Sequence, residues 1–379
     1  MRIGVVISTY RRWGGLERVS GEWARGLAAR GHDLTVFSQT AEPGPGDEPI
    51  TFVPVGGMRS PIAARAATFP RAVTKSVRRA SLDLVVSFGC SVLIPAVVRL
   101  HGAHAPWWEI ANRNVPATSV EGLRRRLNPH HRVILKLERR VLGSGLPLAV
   151  LAAADVAAAD IKRFYPRSAP LVEVVPDGID LESFAFDPAG RESLRTAWNA
   201  TDSFVVLTVA TEVRRKGLDT LFRAFRRVMR ERSDAVLVIA GTANRDAVAN
   251  LAREFGIEAH VRVAGFVPDI AAAYSAADLL AFPTIYEHWG LPIVESLACG
   301  TPVVASALAG ASQGIEDGRT GFLIRDPFDE SDVATSVLRG LRLDIARDEC
   351  RATVEPMAWP RVLDLVEKAL IRARERAAR

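Results

Sequence analysis

Short apolar, β-branched runs alternate along the chain with stretches of helical periodicity. In the first half, strands are predicted at IGVVIS (3–8), DLTVFS (33–38), DLVVSF (83–88) and LAVLAA (148–153). In the second half, they are predicted at SFVVLTVA (203–210), AVLVIAG (235–241), VRVAG (261–265), DLLAFP (278–283) and TPVVAS (301–306). Apolar strands separated by helices indicate parallel sheets covered on both faces. Two such series predict an α/β chain with two doubly wound domains.

Helical periodicity and chain-breaking residues divide the sequence further. In 218–229, apolar side chains recur every three or four residues and arginines occupy the other face, which predicts an amphipathic helix. A stretch rich in proline and glycine separates the two series of strands and places the hinge near Pro176–Asp180. The predicted divisions are a first domain at 1–176, a second domain at 177–357 and a C-terminal helix at 358–379.

Composition narrows the class of protein. The chain has 379 residues, of which 48% are hydrophobic and 24% charged, so a mostly disordered protein is excluded. No apolar run reaches the roughly 18 residues that a membrane span needs, and the first run is too short for a signal peptide. The three cysteines (Cys90, Cys299 and Cys350) are too few and too scattered for a disulfide framework or a metal site. The expected location is the cytoplasm.

The net charge of +6 is small for this length and comes largely from arginine. Aromatic residues are not interleaved with the basic ones, so no nucleic-acid partner is expected. One basic cluster spans 113–140, contains Arg124–Arg126 and follows Trp107 and Trp108. Such a segment suits an anionic membrane surface, and a solvated helix face is the alternative. Peripheral docking at the inner face of the plasma membrane is therefore one prediction.

Ligands of open parallel sheets bind beyond the carboxyl ends of the strands. Gly14-Gly15 follows the first strand and opens a helix, so it is either an anion-binding turn or a plain tight turn. Arg214–Lys216 follows strand 203–210 and precedes Gly217 at the start of the next helix. These cations would meet a diphosphate there, or form a solvated charge run.

The loop after strand 278–283 carries a second group of candidates. Glu287 lies in that loop, Pro292 suits the first position of the following helix, and Glu295 lies in its first turn. The amides of 288–291 could face an anion. An acid at a helix N-terminus is also common without any ligand, because it complements the helix dipole.

Several stretches occur in the order and spacing of a known family: GGLERV, VVPDGIDLESF, RRKGLDTLFRAF, AGFVPDIAAAYSAADLLAFPTIYEHWGLPIVESLACGTPVVAS and DGRTGFLI. The chain resembles the retaining glycosyltransferases of family four, and within it the subgroup of lipopolysaccharide-core glucosyltransferases. That subgroup likewise lacks the Arg that the family often has six residues before the Lys, where Ala210 stands here. The resemblance implies the GT-B fold, with two Rossmann-like domains, an interdomain cleft and a C-terminal crossover helix that returns toward the N-terminal domain. The first domain would bind the acceptor and the second the donor.

The resemblance also assigns roles to single residues. Glu287 would contact the donor sugar, Glu295 the ribose hydroxyls, and Arg215 and Lys216 the diphosphate. The further donor-binding candidates are Gly14, Gly15, Phe266, Val267, His288, Trp289, Gly290 and Leu291. His101 ends an apolar strand at a position similar to one that supports the sugar at the reaction centre, and it joins Glu287, Lys216 and Arg215 as a catalytic candidate. The acceptor candidates are His104, Trp107 and Arg113.

The function implied by the resemblance is transfer of a hexose from a nucleotide diphosphate sugar, with retention, by front-face displacement. UDP-glucose is favoured over GDP-mannose as the donor. The acceptor would be a hydroxyl of a glycan, a glycolipid or a metabolite, and neither a metal nor a separate cofactor is expected. Two alternatives stay open: a nucleotide-sugar epimerase of GT-B fold, and a non-catalytic GT-B-like binding protein.

Overall fold

The computed structural model describes residues 1–113, 115, 116, 118–241 and 244–378. It divides into two compact units. The N-terminal unit comprises Met1–Gly178 and Trp359–Arg379, and the C-terminal unit comprises Ile179–Ala358. Each unit contains a parallel sheet with helices on both faces, so the predicted α/β class with two doubly wound, Rossmann-like domains is confirmed.

The strands of the N-terminal unit are β1 (Arg2–Val6), β2 (Thr9–Tyr10), β3 (Asp33–Ser38), β4 (Thr40–Ala41), β5 (Ile50–Pro54), β6 (Leu84–Phe88), β7 (Val97–Leu100), β8 (Ala149–Ala152) and β9 (Val172–Val174). Seven of them form a parallel sheet in the order β5-β3-β1-β6-β7-β8-β9, and β2 pairs with β4. Val5 on β1 pairs with Val36 on one side and Val86 on the other. The strand order reverses between β1 and β6, which is where a doubly wound sheet opens a ligand crevice.

The helices of this unit are α1 (Gly15–Ala29), α2 (Ile62–Val77), α3 (His104–Ala111), α4 (Val120–Leu127), α5 (Pro129–Val141) and α6 (Asp155–Phe164). The helix α1 shows why these segments fold as they do. Its apolar side chains Val19, Trp23 and Leu27 recur at helical spacing and are fully buried against β1 and β3.

The strands of the C-terminal unit are β10 (Phe204–Val209), β11 (Ala235–Ala240), β12 (Val261–Gly265), β13 (Leu279–Phe282), β14 (Val303–Ser306) and β15 (Gly321–Ile324). They form a parallel sheet in the order β12-β11-β10-β13-β14-β15, which reverses between β10 and β13. Its helices are α7 (Pro188–Ala197), α8 (Leu218–Glu231), α9 (Arg245–Glu254), α10 (Ile270–Ala276), α11 (Leu291–Ala298), α12 (Glu330–Gly340) and α13 (Arg347–Ala352). The helix predicted at 218–229 is α8, and its apolar face lies in the core.

The last helix, α14 (Trp359–Ala377), packs on the N-terminal unit. Its Leu363 lies against Gly26 of α1, where a Cβ atom would come within 2.3 Å of the leucine Cδ1. Glu367 accepts hydrogen bonds from Arg30 (2.9 Å) and from His32 Nε2 (2.8 Å). Within the described residues, α14 and the other helices are too short or too polar to cross a membrane.

Three strands of the two sheets, β5, β9 and β15, were not among the predicted strands. The strands β5 and β9 form the two edges of their sheet, and of their side chains only Ile50 is buried. Edge strands need no continuous apolar run, so the pattern of hydrophobic residues does not reveal them. The strand β15 begins with Gly321, where a Cβ atom would lie 1.8 Å from the carbonyl oxygen of Val303. The two backbones approach so closely here that only glycine fits. Because glycine has a low strand propensity, its presence argues against predicting a strand at this position.

Candidate active site

Two loops at the carboxyl edge of the C-terminal sheet are joined to each other. They follow β10 and β13, the two strands between which the strand order reverses. The carbonyl oxygen of Arg215 accepts hydrogen bonds from the Ile285 amide (3.0 Å) and from Thr284 Oγ1 (3.0 Å). Gly217 has φ +70°, and a Cβ atom there would lie 2.0 Å from the carbonyl oxygen of Pro283. The sequence Arg-Lys-Gly is thus held against the second loop by its backbone.

This arrangement brings together three of the predicted residues, called here the Arg215–Lys216–Glu287 cluster. Glu287 Oε2 accepts hydrogen bonds from Arg215 Nη1 (2.7 Å) and from the Lys216 ammonium group. Arg215 Nη2 also donates to Glu212 Oε1 (3.3 Å). The Lys216 Nζ atom lies 4.5 Å from the centre of the Phe282 ring, which provides a cation–π contact.

Burial and mutual attraction set the charge of this cluster. Lys216 is only 8% exposed, and burial lowers its pKa although Glu287 opposes that shift. Burial acts to raise the pKa of Glu287, but Lys216 and Arg215 outweigh it and the pKa ends below its ordinary value. The two cations share the buried Glu287 carboxylate, and Arg215 also pairs with the more exposed Glu212. Gly217 and Gly290 cap the N-termini of α8 and α11, which add partial positive charge to the same loops.

Backbone hydrogen bonds also hold the loop before α11 in place. The Gly310 amide donates to the Glu287 carbonyl oxygen (3.0 Å), and the Ala311 amide donates to that of Trp289 (2.8 Å). The Trp289 and His288 side chains are buried. Their backbone groups, together with those of Gly290 and the half-buried Leu291, are what this loop can present to an anion.

The remaining predicted donor-site residues lie in separate surroundings. Glu295 is buried on α11, and its Oε2 accepts a hydrogen bond from the hydroxyl of Tyr274 (2.7 Å), a partner that the sequence analysis missed. Phe266 follows the end of β12 with 79% of its surface exposed, and Val267 beside it is half-buried. An exposed aromatic side chain at the carboxyl edge of a parallel sheet can stack on a planar ligand ring.

A second polar group lies at the carboxyl end of β7, in the N-terminal unit. His101 Nε2 bonds to both carboxylate oxygens of Asp177, at 2.9 and 2.8 Å. The same carboxylate accepts a hydrogen bond from Arg99, which is completely buried. Burial acts to raise the pKa of Asp177, but His101 and Arg99 outweigh it and lower the pKa to about 2. The sequence pattern pointed to His101 but to neither Asp177 nor Arg99.

The Asp177 carboxylate determines which His101 nitrogen remains available. In the neutral ring, the proton on Nε2 is donated to the carboxylate, so Nδ1 carries the lone pair. That Nδ1 atom is buried and has no hydrogen-bond partner among the described residues. The ring lies parallel to Phe88, with centroids 6.3 Å apart. His101 is therefore held in one orientation and can accept a hydrogen bond from a ligand hydroxyl.

The predicted acceptor residues are not grouped around His101. His104 Nε2 is 3.0 Å from His131 Nδ1, and Trp107 and Trp108 pack against the same two rings. Burial, with some repulsion from His131, lowers the pKa of His104 to about 4. Arg113, beyond the end of α3, is exposed. These aromatic residues join α3 to α5, and they do not form an exposed surface of their own.

The glycine pair of the first loop differs at its two positions. Gly14 has φ +96° and caps α1, and a Cβ atom there would lie 2.5 Å from Glu17 Oε2. Glu17 in turn pairs with Arg11 at 3.0 Å. Gly15 has open space where its Cβ would be, so an approaching ligand meets no side chain there. Across the described residues, no group of three or more His, Cys, Asp or Glu side chains could hold a metal ion.

A pair of doubly wound units, one with cations and helix N-termini at its strand edge, is the architecture of a GT-B glycosyltransferase. The comparisons with known proteins place the chain within that class. Residues 13–183 match the Glycosyltransferase Family 4 family, and residues 190–355 match the Glycosyl transferases group 1 family. The chain therefore carries a glycosyltransferase family 4 domain followed by a glycosyltransferase group 1 domain, in a GT-B fold.

Individual relatives agree with this assignment. The chain is 26% identical over 347 residues to the lipopolysaccharide glucosyltransferase WaaG of Escherichia coli (strain K12), covering 89% of each chain. The crystal structure of WaaG superposes with a TM-score of 0.74 at 22% identity over 99% of this chain and 98% of that one. A GDP-mannose-dependent phosphatidylinositol monomannoside mannosyltransferase of Mycolicibacterium smegmatis is 32% identical over 184 residues, 46% of this chain and 47% of its own. Anabaena HepE, solved in complex with UDP-glucose, has a TM-score of 0.72 at 19% identity over 98% of this chain and 99% of its own.

Proposed function

We propose that this glycosyltransferase moves a hexose from a nucleotide diphosphate sugar to an acceptor hydroxyl with retention at the anomeric carbon and without a divalent metal. UDP-glucose is the first candidate donor and GDP-mannose the second. One of the relatives is named as a glucosyltransferase and another as a GDP-mannose-dependent mannosyltransferase. The observation that carries the proposal is the Arg215–Lys216–Glu287 cluster at the carboxyl edge of the C-terminal sheet.

The chemistry follows from where charge develops. The bond between the anomeric carbon and the leaving phosphate oxygen breaks, so negative charge grows on the diphosphate. Arg215, Lys216 and the N-terminus of α8 supply positive charge on a preorganised backbone, which is the most effective way to stabilise such a leaving group. The acceptor oxygen bonds to the anomeric carbon on the same face. Its proton passes to the departing phosphate oxygen, so no side chain has to act as a strong base.

The remaining carboxylates and the histidine have supporting roles in this proposal. Glu287 binds a sugar hydroxyl while it keeps both cations oriented, and Glu295 binds the ribose. His101, fixed by Asp177, offers Nδ1 to a hydroxyl at the reaction centre. The N-terminal unit thereby takes the acceptor, as the family resemblance implies.

We also propose that the protein docks peripherally on an anionic membrane through α4, at the cytoplasmic face. Val120, Leu123 and Leu127 recur along one side of this helix, and all three are exposed. The three arginines Arg124–Arg126 accompany them, and this combination suits an interface of apolar chains and anionic headgroups. Residues 114 and 117 of the basic segment 113–140 lie outside the described residues.

Two assays test these proposals. Release of UDP or GDP is followed by chromatography with EDTA present, and the product of the active donor is examined by proton NMR for an anomeric configuration equal to that of the donor. An inverted product, or activity only with magnesium, would refute the mechanism. Docking is tested by co-sedimentation with anionic vesicles at low salt, with Leu123→Asp as the variant and Leu365→Asp on α14 as the exposed control. Equal binding of the two variants would refute docking through α4.

A further inference from the structure

A cavity of about 230 Å³ lies in the N-terminal unit at the carboxyl edge of its sheet. Its floor comes from the segments that follow β1, β6 and β7, including Ser8, Gly89–Ser91 and Gly102. The strand order reverses between β1 and β6, and this is the position where a doubly wound sheet binds its ligand. Leu100 and Gly102, the residues on either side of His101 in the chain, both line the cavity. The cavity therefore lies where a protein of this fold class is expected to bind a substrate.

The walls of the cavity come from α2 and α5 and are mostly apolar. Ile62, Ala66 and Phe69 of α2 line the space, as do Ile134 and Leu137 of α5. A hexose buried here would leave several hydroxyl groups without hydrogen-bond partners, and each one costs free energy. The lining therefore favours a group that carries few polar atoms.

The acidic and sulfur groups of the lining are already satisfied or neutral. The Glu138 carboxylate accepts hydrogen bonds from the His104 amide, from the Ala105 amide (3.2 Å) and from the hydroxyl of Tyr165 (2.7 Å). It thus holds the start of α3 in place. Burial raises the pKa of the Cys90 thiol well above its ordinary value, so this side chain is a neutral, weakly polar surface.

Two other polar side chains of the lining favour a ligand that carries an oxygen atom. Arg65 of α2 and His130 of α5 both line the cavity, and burial followed by the charge of Arg65 lowers the pKa of His130. The His130 Nδ1 atom is buried and has no partner among the described residues. A ligand hydroxyl would satisfy it, because a hydroxyl group can donate to the ring nitrogen or accept from it.

We infer that this cavity binds an apolar part of the acceptor, one aromatic ring or an aliphatic group of similar size, with an oxygen atom beside Arg65 and His130. An apolar cavity of about 150 Å³ is known to hold benzene, so 230 Å³ accommodates such a ring with a substituent. The inference rests on the proposed function and deepens it. It restricts the acceptor from any hydroxyl compound to one that carries an apolar group near the reacting oxygen.

The test compares two probes that differ only in the apolar group, phenyl and methyl β-D-glucopyranoside. Their dissociation constants are measured by titration calorimetry on the whole protein. We expect the phenyl compound to bind at least about tenfold more tightly, which corresponds to about 1.4 kcal/mol. Ala66→Phe fills the cavity and should reduce this ratio to about one. Ala64→Phe is the matched control, because it lies about 200° around the same helix and outside the lining.

A second variant keeps the test decisive if Ala66→Phe does not fold. Ile134→Ala enlarges the cavity, and it should raise the preference for naphthyl over phenyl β-D-glucopyranoside severalfold. Equal affinities for the phenyl and methyl compounds, no binding of either, or equal effects of Ala66→Phe and Ala64→Phe would overturn the inference. Donor binding and donor hydrolysis are measured separately without any acceptor. If the wild type binds and hydrolyses the donor but the glucoside probes do not behave as expected, only the inference about the acceptor is refuted. If the wild type does not bind any donor, the proposed function itself is refuted.

Discussion

Replacement of Lys216 by methionine is the change that most directly perturbs the Arg215–Lys216–Glu287 cluster. Methionine preserves most of the volume of the side chain and removes only the ammonium group. That group donates to Glu287 and lies over the Phe282 ring in a site where 8% of the lysine is exposed. The variant therefore changes charge with little change in packing, and Arg215 still partners the carboxylate.

Two magnitudes follow from these contacts. Removal of one partner from a buried ion pair costs about 3–5 kcal/mol, but Arg215 remains at 2.7 Å, so we expect the unfolding free energy to fall by about 1–2 kcal/mol. Removal of one preorganised donor to developing negative charge costs about 10²–10³ in kcat. The effect on turnover should therefore exceed the effect on stability.

The variant also changes a pKa with a predictable sign. In the wild type, burial acts to raise the pKa of Glu287, but Lys216 and Arg215 outweigh it and lower the pKa. A carboxyl whose pKa is lower in the folded state than in the unfolded state stabilises the fold when the pH is above its unfolded pKa, which is about 4.3 for Glu. This stabilisation is lost as the pH falls through the folded-state pKa. Without Lys216 the pKa of Glu287 rises, so the acid limb of stability and of turnover should move to higher pH.

The assay is release of nucleoside diphosphate from the active donor, together with urea unfolding from pH 3.5 to 8. Arg232→Met is the matched control, because Arg232 forms an exposed ion pair with Asp234 in the same unit and should alter turnover little. Turnover of Lys216→Met within threefold of that of the control would refute the assignment of the cluster to the diphosphate.

Three further predictions concern other parts of the fold. Asp177→Asn removes the counter-ion of a buried arginine and the orienting partner of His101; urea unfolding should show a loss of about 3–5 kcal/mol, and turnover should fall while donor binding in calorimetry is kept. Gly217→Ala forces φ +70° on alanine and places its Cβ on the Pro283 carbonyl, so stability should fall by about 1–3 kcal/mol and donor binding should weaken; unchanged donor affinity would contradict the proposed site. The pKa of His104, about 4 when folded, lies below the unfolded value, so the unfolded state binds its proton first; His104 should lower the unfolding free energy by about 1–2 kcal/mol between pH 6.5 and 4, and His104→Asn should make the total decrease smaller by that amount.

The fold could be predicted because each central strand of a covered parallel sheet is an apolar run. The pattern fails where burial is one-sided, as at β5 and β9 on the sheet edges. The cation–carboxylate cluster was also accessible from sequence. Its members lie in loops after two strands, and the carboxyl ends of parallel strands share one edge.

The Arg99–Asp177 pair beside His101 and the partner of Glu295 could not be predicted in this way. Arg99 stands within an apolar strand and Asp177 follows a proline 78 residues later in the chain, so only the folded sheet joins them. The signal that could have identified them is a charged residue at a position where the pattern demands an apolar one, since a buried charge needs a partner. In the sequence, Tyr274 has the pattern of an ordinary core residue of α10. Its position in that pattern does not indicate a hydrogen bond to Glu295.

In the proposed function, the C-terminal unit binds the diphosphate of a nucleotide sugar through the Arg215–Lys216–Glu287 cluster. The most direct test is a thermal-shift series with UDP-, GDP- and ADP-sugars in EDTA, on the wild type and on Lys216→Met. At 100 times the dissociation constant, a donor should stabilise the wild type by about 2.7 kcal/mol, and the variant should lose most of that stabilisation. Absence of a shift with every donor, or an equal shift in the wild type and the variant, would refute binding of the diphosphate by this cluster.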